Sequence, residues 1–198
     1  PGRLTAADIR QRSGAETLSG QRLDFRARGR SLKIDGARIV KSDISADNGI
    51  IHVIDQVLKP STHDLVTLAR EAGKFSTLLA ALDAAALSEV LRGGGPFTVF
   101  APTDKAFSRL GPDTVTALLR PENRDQLIAV LKNHVVSGRV YAEQAASAGA
   151  VHTLAGTGLR FAVNSGRLQV NGVRLLDTDR DADNGVIHVV DRVLVPML

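Results

Sequence analysis

The chain has 198 residues, of which 43% are hydrophobic and 4% aromatic, and it has no cysteine, so an aliphatic globular core is expected and disulfides or thiolate metal sites are excluded. No apolar run reaches the roughly 18 residues that a membrane-spanning helix needs. The net charge of +4 arises in residues 1–60, which hold 11 Lys and Arg against 7 Asp and Glu; residues 61–198 hold 14 of each, which argues against a nucleic-acid partner.

A basic stretch is the first pattern along the chain. Charged and apolar side chains alternate over residues 22–28, which predicts a strand with one basic face. The arginines concerned are Arg22, Arg26 and Arg28, with Arg30 in the adjoining turn. Two interpretations stay open: a solvated outer face, or a patch that binds an acidic polysaccharide or another anionic surface and is weakened by salt.

Residues 62–92 have apolar side chains at the spacing of helices. Ser61, Thr62 and Asp64 are candidate N-caps for the first of these helices. The helical run ends at residues 93–96, Gly-Gly-Gly-Pro, because neither glycine nor proline continues a helix well.

A short β-rich segment, residues 97–101, predicts a strand. Pro102 ends this strand, and Thr103 or Asp104 is placed to cap a short helix that includes Phe107. A strand followed directly by a capped helix is therefore expected here.

The remaining chain is predicted to change from helix to strand. Helices are expected at residues 113–119 and 121–133, and a period of two from Val140 onward predicts strands. Asn171-Gly172 predicts a hairpin turn, and the last strand is expected over residues 186–194. The class is therefore α+β, with helices largely first and an antiparallel meander after them.

An internal repeat is the strongest signal in the sequence. A shift of 136 residues aligns residues 17–60 with residues 153–196 without a gap, and 20 of the 44 aligned positions are identical. The densest match joins residues 46–58 to residues 182–194. So long a period indicates tandem domains rather than a solenoid, and the first copy then has only its last sixty residues.

Three segments of the second copy resemble the signatures of fasciclin (FAS1) domains. Residues 97–107 are similar to the first signature and residues 183–194 to the second, while residues 131–138 resemble the intervening segment. The resemblance implies the FAS1 fold, a wedge-shaped antiparallel β-sandwich with several helices packed on one side. It also implies that residues 61–198 form a complete FAS1 domain and residues 1–60 the C-terminal half of a first domain, with the front half absent.

The signature residues are expected to stabilise the fold before they bind anything. Thr103 and Asp104 offer acceptors where a strand stops and a helix begins, and Asn184 and Gly185 are expected to supply the positive φ of a tight turn. The structural residues predicted in this way are Phe97, Thr103, Asp104, Phe107, Asn184, Gly185 and His188.

In animal fasciclin proteins, an Asp-Ile pair before the second signature and a Tyr-His segment are associated with integrin-dependent adhesion. Asp43-Ile44 matches the first motif in the partial copy, whereas the second copy has Asp179-Arg180. Asn133-His134 stands where the family usually has Tyr-His. These four residues are therefore hypotheses for binding residues. The composition, rich in Arg and Ala with few lysines, favours a bacterial source, where no integrin exists.

The sequence favours neither a metal site nor a catalytic centre. His52 and His188 hold the same position in two apolar strands, which favours a structural role, and no pair of histidines has the spacing of two ligands on one helix face. Four aspartates alternate near the last turn, but the segment does not have the glycine and the acidic residue that an EF-hand loop requires at fixed positions. The four aspartates are Asp177, Asp179, Asp181 and Asp183. Weak, nonspecific binding of a divalent cation is the remaining possibility there. There is no nucleophile elbow and no phosphate-binding loop, so no enzyme activity and no cofactor are predicted.

The leading hypothesis is an adhesion or binding module that recognises protein or polysaccharide at the cell surface or in the matrix. The alternative is a carrier of a small lipophilic ligand, such as a carotenoid, held in an apolar groove between sheet and helices. Self-association through the orphan half-domain, residues 1–60, is a further expectation. The chain opens with Pro-Gly-Arg, so no export signal is visible, and an extracellular, periplasmic or cell-surface location is expected.

Overall fold

The structure is a computed structural model, and it describes residues 2–196. The chain divides into two compact units, residues 1–61 and 62–198. Within the described part, no helix is long and apolar enough to cross a membrane.

The first unit is one helix and a five-stranded antiparallel sheet in the order β1-β2-β3-β4-β5. Its elements are α1 (Ala6–Gln11), β1 (Gly14–Glu16), β2 (Arg22–Arg28), β3 (Ser31–Ile34), β4 (Ala37–Ala46) and β5 (Gly49–Ile54). Helix α1 begins after Thr5, whose side chain accepts a hydrogen bond from the Asp8 N–H. The helix packs on the sheet through a small core that contains Ile9, Phe25 and Leu32.

The second unit begins with helices, as the sequence predicts. They are α2 (Leu65–Glu71), α3 (Ser76–Ala84), α4 (Ser88–Arg92), α5 (Asp104–Ser108), α6 (Pro112–Leu118), α7 (Arg124–Lys132) and α8 (Ala142–Ala148). A single 3₁₀ turn, Pro121–Asn123, precedes α7. Asp64 caps α2 by accepting from the Thr67 N–H, which selects one of the three candidate caps.

A seven-stranded sheet in the order β7-β6-β12-β11-β10-β9-β8 completes the second unit. The strands are β6 (Phe97–Pro102), β7 (Val135–Ser137), β8 (Ala150–His152), β9 (Gly158–Asn164), β10 (Arg167–Val170), β11 (Val173–Ala182) and β12 (Gly185–Val190). Neighbouring strands are antiparallel except β6 and β12, which pair in parallel from Gly185↔Phe97 to Val190↔Pro102. The two ends of the sheet meet where Val136 bridges Thr153, so the sheet folds back on itself.

Two apolar cores result from this arrangement. One lies between the helices and the central strands and includes Leu65, Phe75, Leu131 and Ile187. The other lies inside the folded sheet, where the Phe100 ring packs 5.7 Å from that of Phe161. The predicted α+β class is confirmed.

Two predicted element boundaries in this unit are wrong. The strand pattern expected from Val140 onward is interrupted by α8, because the Asp179 carboxylate accepts from the Ala142 N–H and Gln144 accepts from the Tyr141 N–H, which together cap an alanine-rich segment. The last strand stops at Val190 rather than continuing to residue 194.

The repeat extends further in the structure than in the sequence. Each element of the first unit, from α1 to β5, has a counterpart 136 residues later, from α8 to β12, with the same strand order and the same bulges between the last two strands. Asp43 and Asp179 sit at equivalent bulges with positive φ, and each accepts from the first N–H of its helix, Ala6 or Ala142. The structural repeat therefore begins near residue 4, where the sequences no longer match.

Candidate functional site

The outer face of the first unit's sheet presents a row of basic side chains. The register places Arg26 opposite Lys33, and Lys33 opposite Arg38, so three cations lie side by side on β2, β3 and β4. Neighbouring strands are about 4.8 Å apart, so the row spans about 10 Å. Arg28 lies two residues beyond Arg26 on the same exposed face. We call these four residues the basic row.

The basic row has few acidic partners. Arg38 lies 3.5 Å from the Asp55 carboxylate, whereas no described carboxylate forms an ion pair with Arg26, Arg28 or Lys33. Like charges directly opposite each other on adjacent strands destabilise a sheet. The repulsion is below about 1 kcal/mol per pair in water, so the fold tolerates the row and an anion would relieve it.

The other two predicted arginines have different surroundings. The Arg22 side chain is only 10% exposed and lies 3.2 Å from the Asp24 carboxylate, so it does not belong to the basic row. Arg30 is exposed in the β2–β3 turn. Arg10 of α1 donates to the backbone carbonyls of Gly29 and Arg30, which brings a further cation to this turn.

The equivalent face of the second unit lacks this row. Ala162, Gln169 and Arg174 occupy the positions of Arg26, Lys33 and Arg38. One cation of three remains at these positions. Arg160 and Arg167 are also exposed on this face, but neither lies opposite another arginine in the register, so the side-by-side row is a property of the first unit alone.

Asn133 and His134 are both 2% exposed. Asn133 donates to the Leu194 carbonyl and accepts from the Thr157 hydroxyl. His134 bonds the Val130 carbonyl through Nδ1 at 2.8 Å and accepts from the Leu194 N–H at Nε2. Burial lowers the pKa of His134 to about 4, so the ring is neutral at physiological pH. Their role in binding stays a prediction, and in this structure they join α7 to the C-terminal segment.

The Asp43-Ile44 pair is partly committed to the fold. The Asp43 carboxylate accepts from the Ala6 N–H at 2.8 Å, and Ile44 is half-buried opposite Ile51. In the second unit, Arg180 replaces the isoleucine and pairs with Asp177 at 2.9 Å. A binding role for Asp43 and Ile44 likewise stays a prediction.

Thr103 and Asp104 cap two different helices. Thr103 accepts from the Ala106 N–H and so caps α5, the helix that follows it. Asp104 instead accepts from the Ser76 and Thr77 N–H groups at the start of α3. Burial raises the pKa of Asp104, but these hydrogen bonds outweigh it, and the pKa lies below its usual value.

Asn184 and Gly185 act differently from the sequence expectation, since neither has a positive φ. The Asn184 side chain accepts from the Leu65 N–H at 2.9 Å and donates to the Leu91 carbonyl at 2.7 Å, so it links the start of α2 to the end of α4. A Cβ at Gly185 would clash with the Phe97 carbonyl and lie 2.8 Å from a methyl group of Leu65. Glycine is needed there for close approach of β6 rather than for a turn.

His188 is buried and satisfied by backbone groups. Its Nε2 bonds the Val140 carbonyl at 2.7 Å, and Nδ1 accepts from the Asp179 N–H. Burial lowers the pKa of His188 despite the nearby Asp179 carboxylate. The ring also stacks on Phe100, with 5.3 Å between centroids. Phe97 and Phe107 pack in the helix-facing core.

No described cluster of three or more histidine and acidic side chains could hold a metal ion. The alternating aspartates have separate partners: Asp177 pairs with Arg180, Asp179 accepts from the Ala142 N–H, and Asp181 pairs with Arg139. These carboxylates therefore do not converge on one point.

A groove lies between helices and sheet in the second unit. It has a volume of about 320 Å³, with a floor that includes Leu68, Phe75 and Ile187. Charged side chains line the rest of it: Glu71, Lys74, Asp177 and Arg180. The volume is at the lower end of the range for small-molecule sites.

Comparison with known proteins gives the family. The family model described as "Fasciclin domain" matches residues 1–60 and 73–196. The chain is 47% identical over 144 residues to protein sll1483 of the cyanobacterium Synechocystis, covering 73% of this chain and 79% of that protein. It is 32% identical over 166 residues to transforming growth factor-beta-induced protein ig-h3 of the pig, covering 83% of this chain but 24% of that protein. The chain belongs to the fasciclin domain family.

A solved structure shows the same fold. It is the FAS1 domain pair from the insect cell adhesion molecule fasciclin I, which matches with a TM-score of 0.64 at 20% identity, over 98% of this chain and 76% of that chain. The FAS1 fold predicted from the signatures is therefore confirmed.

Proposed function

We propose that this protein is an adhesion module, extracellular, periplasmic or at the cell surface, and that the basic row binds an acidic polysaccharide. The observation behind the proposal is that the basic row lies on a flat sheet face and that three of its four residues have no carboxylate partner in the described part of the chain. These three are Arg26, Arg28 and Lys33. A linear polyanion could lie across the three strands and neutralise one cation after another. The row consists of charged side chains spread over a flat face, so charge neutralisation is the main attraction that it offers, which favours a regularly charged polysaccharide over protein.

A non-catalytic role is part of the proposal. His52, His134 and His188 each use both ring nitrogens on backbone groups. A general base needs a free nitrogen within reach of a substrate proton. These three histidines are therefore poor candidates for catalysis, and the family's insect member is described as a cell adhesion molecule.

The test uses two variants with the same change in net charge. The first replaces Arg26, Arg28 and Lys33 by serine. The control replaces three exposed arginines on the equivalent face of the second unit. These are Arg160, Arg167 and Arg174.

Binding of the full chain to immobilised heparin and to alginate would be measured over a salt series. The first variant should lose about tenfold or more in affinity, equivalent to roughly 1.4 kcal/mol, and its binding should depend less steeply on salt. The control variant should bind like the unmodified chain. Equal losses in both variants would mean that net charge alone drives binding and would contradict the assignment of the row.

A second candidate function is transport of a small lipophilic ligand, and the groove lined by Leu68, Phe75 and Ile187 favours it. No amino-acid side chain absorbs visible light, so visible absorbance of the purified protein would come from a bound molecule. An organic-solvent extract that absorbs in the visible range would support the carrier role, whereas a colourless protein and extract would oppose a carotenoid ligand.

A further inference from the structure

The last strand of the first unit exposes apolar side chains that its counterpart buries. Ile51, Val53 and Val57 are 54%, 41% and 83% exposed. Their equivalents Ile187, Val189 and Val193 are 3%, 2% and 7% exposed, because helices of the second unit cover them. We call the exposed side of β5, with these three residues, the open face.

The same strand has an unpaired edge. Strand β5 is the terminal strand of its sheet, with β4 on one side only. Its counterpart β12 lies between β11 and β6 and forms six parallel pairs with β6. An apolar strand with a free edge is a template for adding another strand.

Gly49 has no evident reason to be glycine in the first unit. Its φ is not positive, and a Cβ there would meet nothing within 4 Å. At the equivalent Gly185, a Cβ would clash with the Phe97 carbonyl of β6. The glycine is therefore required only when a parallel strand lies against it.

Asn48 shows the same pattern. It is exposed, and its side chain has no hydrogen-bond partner among residues 2–196. The equivalent Asn184 joins the start of α2 to the end of α4. In the second unit this asparagine bonds two helix ends, and this glycine allows a parallel strand to approach. Asn48 and Gly49 are the same residue types, but no helix end bonds Asn48 and no strand pairs with Gly49 on this side in residues 2–196.

The chain path into the first unit indicates how such a partner connects. The Leu4 carbonyl bonds His52 as the Val140 carbonyl bonds His188. Gly2 and Gly138 are equivalent and both have positive φ. In the second unit, the residues before Gly138 form β7, the strand paired with β6.

We propose that residues 1–60 are the C-terminal half of a first fasciclin domain, beside a complete one at 61–198. We further propose that the open face is the docking surface for an additional front half. That front half is a segment with the pattern of residues 62–138, whose last strand leads directly into Arg3. It places a strand parallel to β5 and two helix ends on Asn48. This inference is independent of the polysaccharide-binding proposal.

A second copy of the chain is a poorer occupant of the open face. Each copy has one front half, residues 62–138, and two C-terminal halves that could use it. If the front half of one copy moved onto β5 of another copy, it would leave the β12 that it had covered exposed. Domain swapping therefore buries no additional surface, and an occupant from another copy would have to pair β5 with β5.

The test joins a second copy of residues 62–138 directly ahead of Arg3 in the full chain. Hydrogen exchange of residues 49–54 should slow at least tenfold, toward that of residues 185–190, and binding of a hydrophobic dye should fall. The control is Gly49→Val. In the unextended chain it should leave exchange and dye binding unchanged, whereas in the extended chain it should abolish the added protection.

Three results would overturn the proposal. The first is an extended chain in which residues 49–54 gain no protection. The second is added protection that survives Gly49→Val. The third is an unextended chain that light scattering shows to be a dimer with residues 49–54 already protected, because the occupant would then be a second copy.

Discussion

The link that Asn184 makes between two helices gives a prediction with an internal control. Asn184→Ala would leave the Leu65 N–H without its acceptor at 2.9 Å and the Leu91 carbonyl without its donor at 2.7 Å. An unsatisfied buried group costs about 1–3 kcal/mol, so the variant should lose roughly 2–4 kcal/mol of unfolding free energy. Asn48→Ala, at the equivalent exposed position, should change stability by less than about 0.5 kcal/mol.

The assay is urea unfolding, followed by tyrosine fluorescence for Asn184→Ala and by far-ultraviolet circular dichroism for Asn48→Ala, which lies in the first unit. Tyr141 is the single tyrosine, there is no tryptophan, and the residue is buried in the second unit, so the signal reports that unit. The midpoint of Asn184→Ala should fall by roughly 1–2 M urea at an unchanged slope. A fall below about 0.3 M would refute the reasoning that this side chain holds the helices to the sheet.

Three further predictions concern the second unit, with the same assay. Asp104→Ala should cost about 1–2 kcal/mol by removing the cap of α3; the exposed Asp113→Ala, which removes no cap, should cost less than about 0.5 kcal/mol, and equal losses would contradict the role. His134 has a folded-state pKa of about 4 against a usual 6.5, so it stabilises fully above pH 6.5, and roughly 3 kcal/mol should be lost as the pH falls to about 4. His134→Gln should flatten that dependence, and an unchanged pH profile would argue against a neutral buried ring. Ala86 has a φ of 57° just beyond α3, so Ala86→Gly should stabilise by roughly 0.5–1 kcal/mol, whereas a loss would show that the strain is absent.

Local sequence patterns predicted many of the strands and turns of the second unit. Its strands and turns follow from alternation and from Asn171-Gly172, whose residues both have positive φ as a tight hairpin requires. The parallel pairing of β6 with β12 was not specified by these patterns, because alternation of apolar residues does not encode which distant strands become neighbours. Helix α8 was missed because it has only seven residues, it follows Tyr141 rather than a usual N-cap residue, and one of its two caps, Asp179, is far away in sequence.

The site residues show the same division. Thr103 was predicted as a cap because its partner is three residues away, whereas Asp104 caps a helix 27 residues earlier, which local spacing does not reveal. The alternation identified Arg26 and Arg28 on one exposed face, but Lys33 and Arg38 were missed. A signal for them existed, since a tight turn at Asp35-Gly36 places Lys33 opposite Arg38.

Hydrogen exchange of the unmodified chain tests most directly whether β5 is an open counterpart of β12. Peptides that cover residues 185–190 should stay protected until the second unit unfolds, because both edges of β12 are paired. Residues 49–54 should show fast exchange at about half of their amides, since β5 is paired with β4 alone. Equal protection of both segments in a monomeric chain would contradict the account.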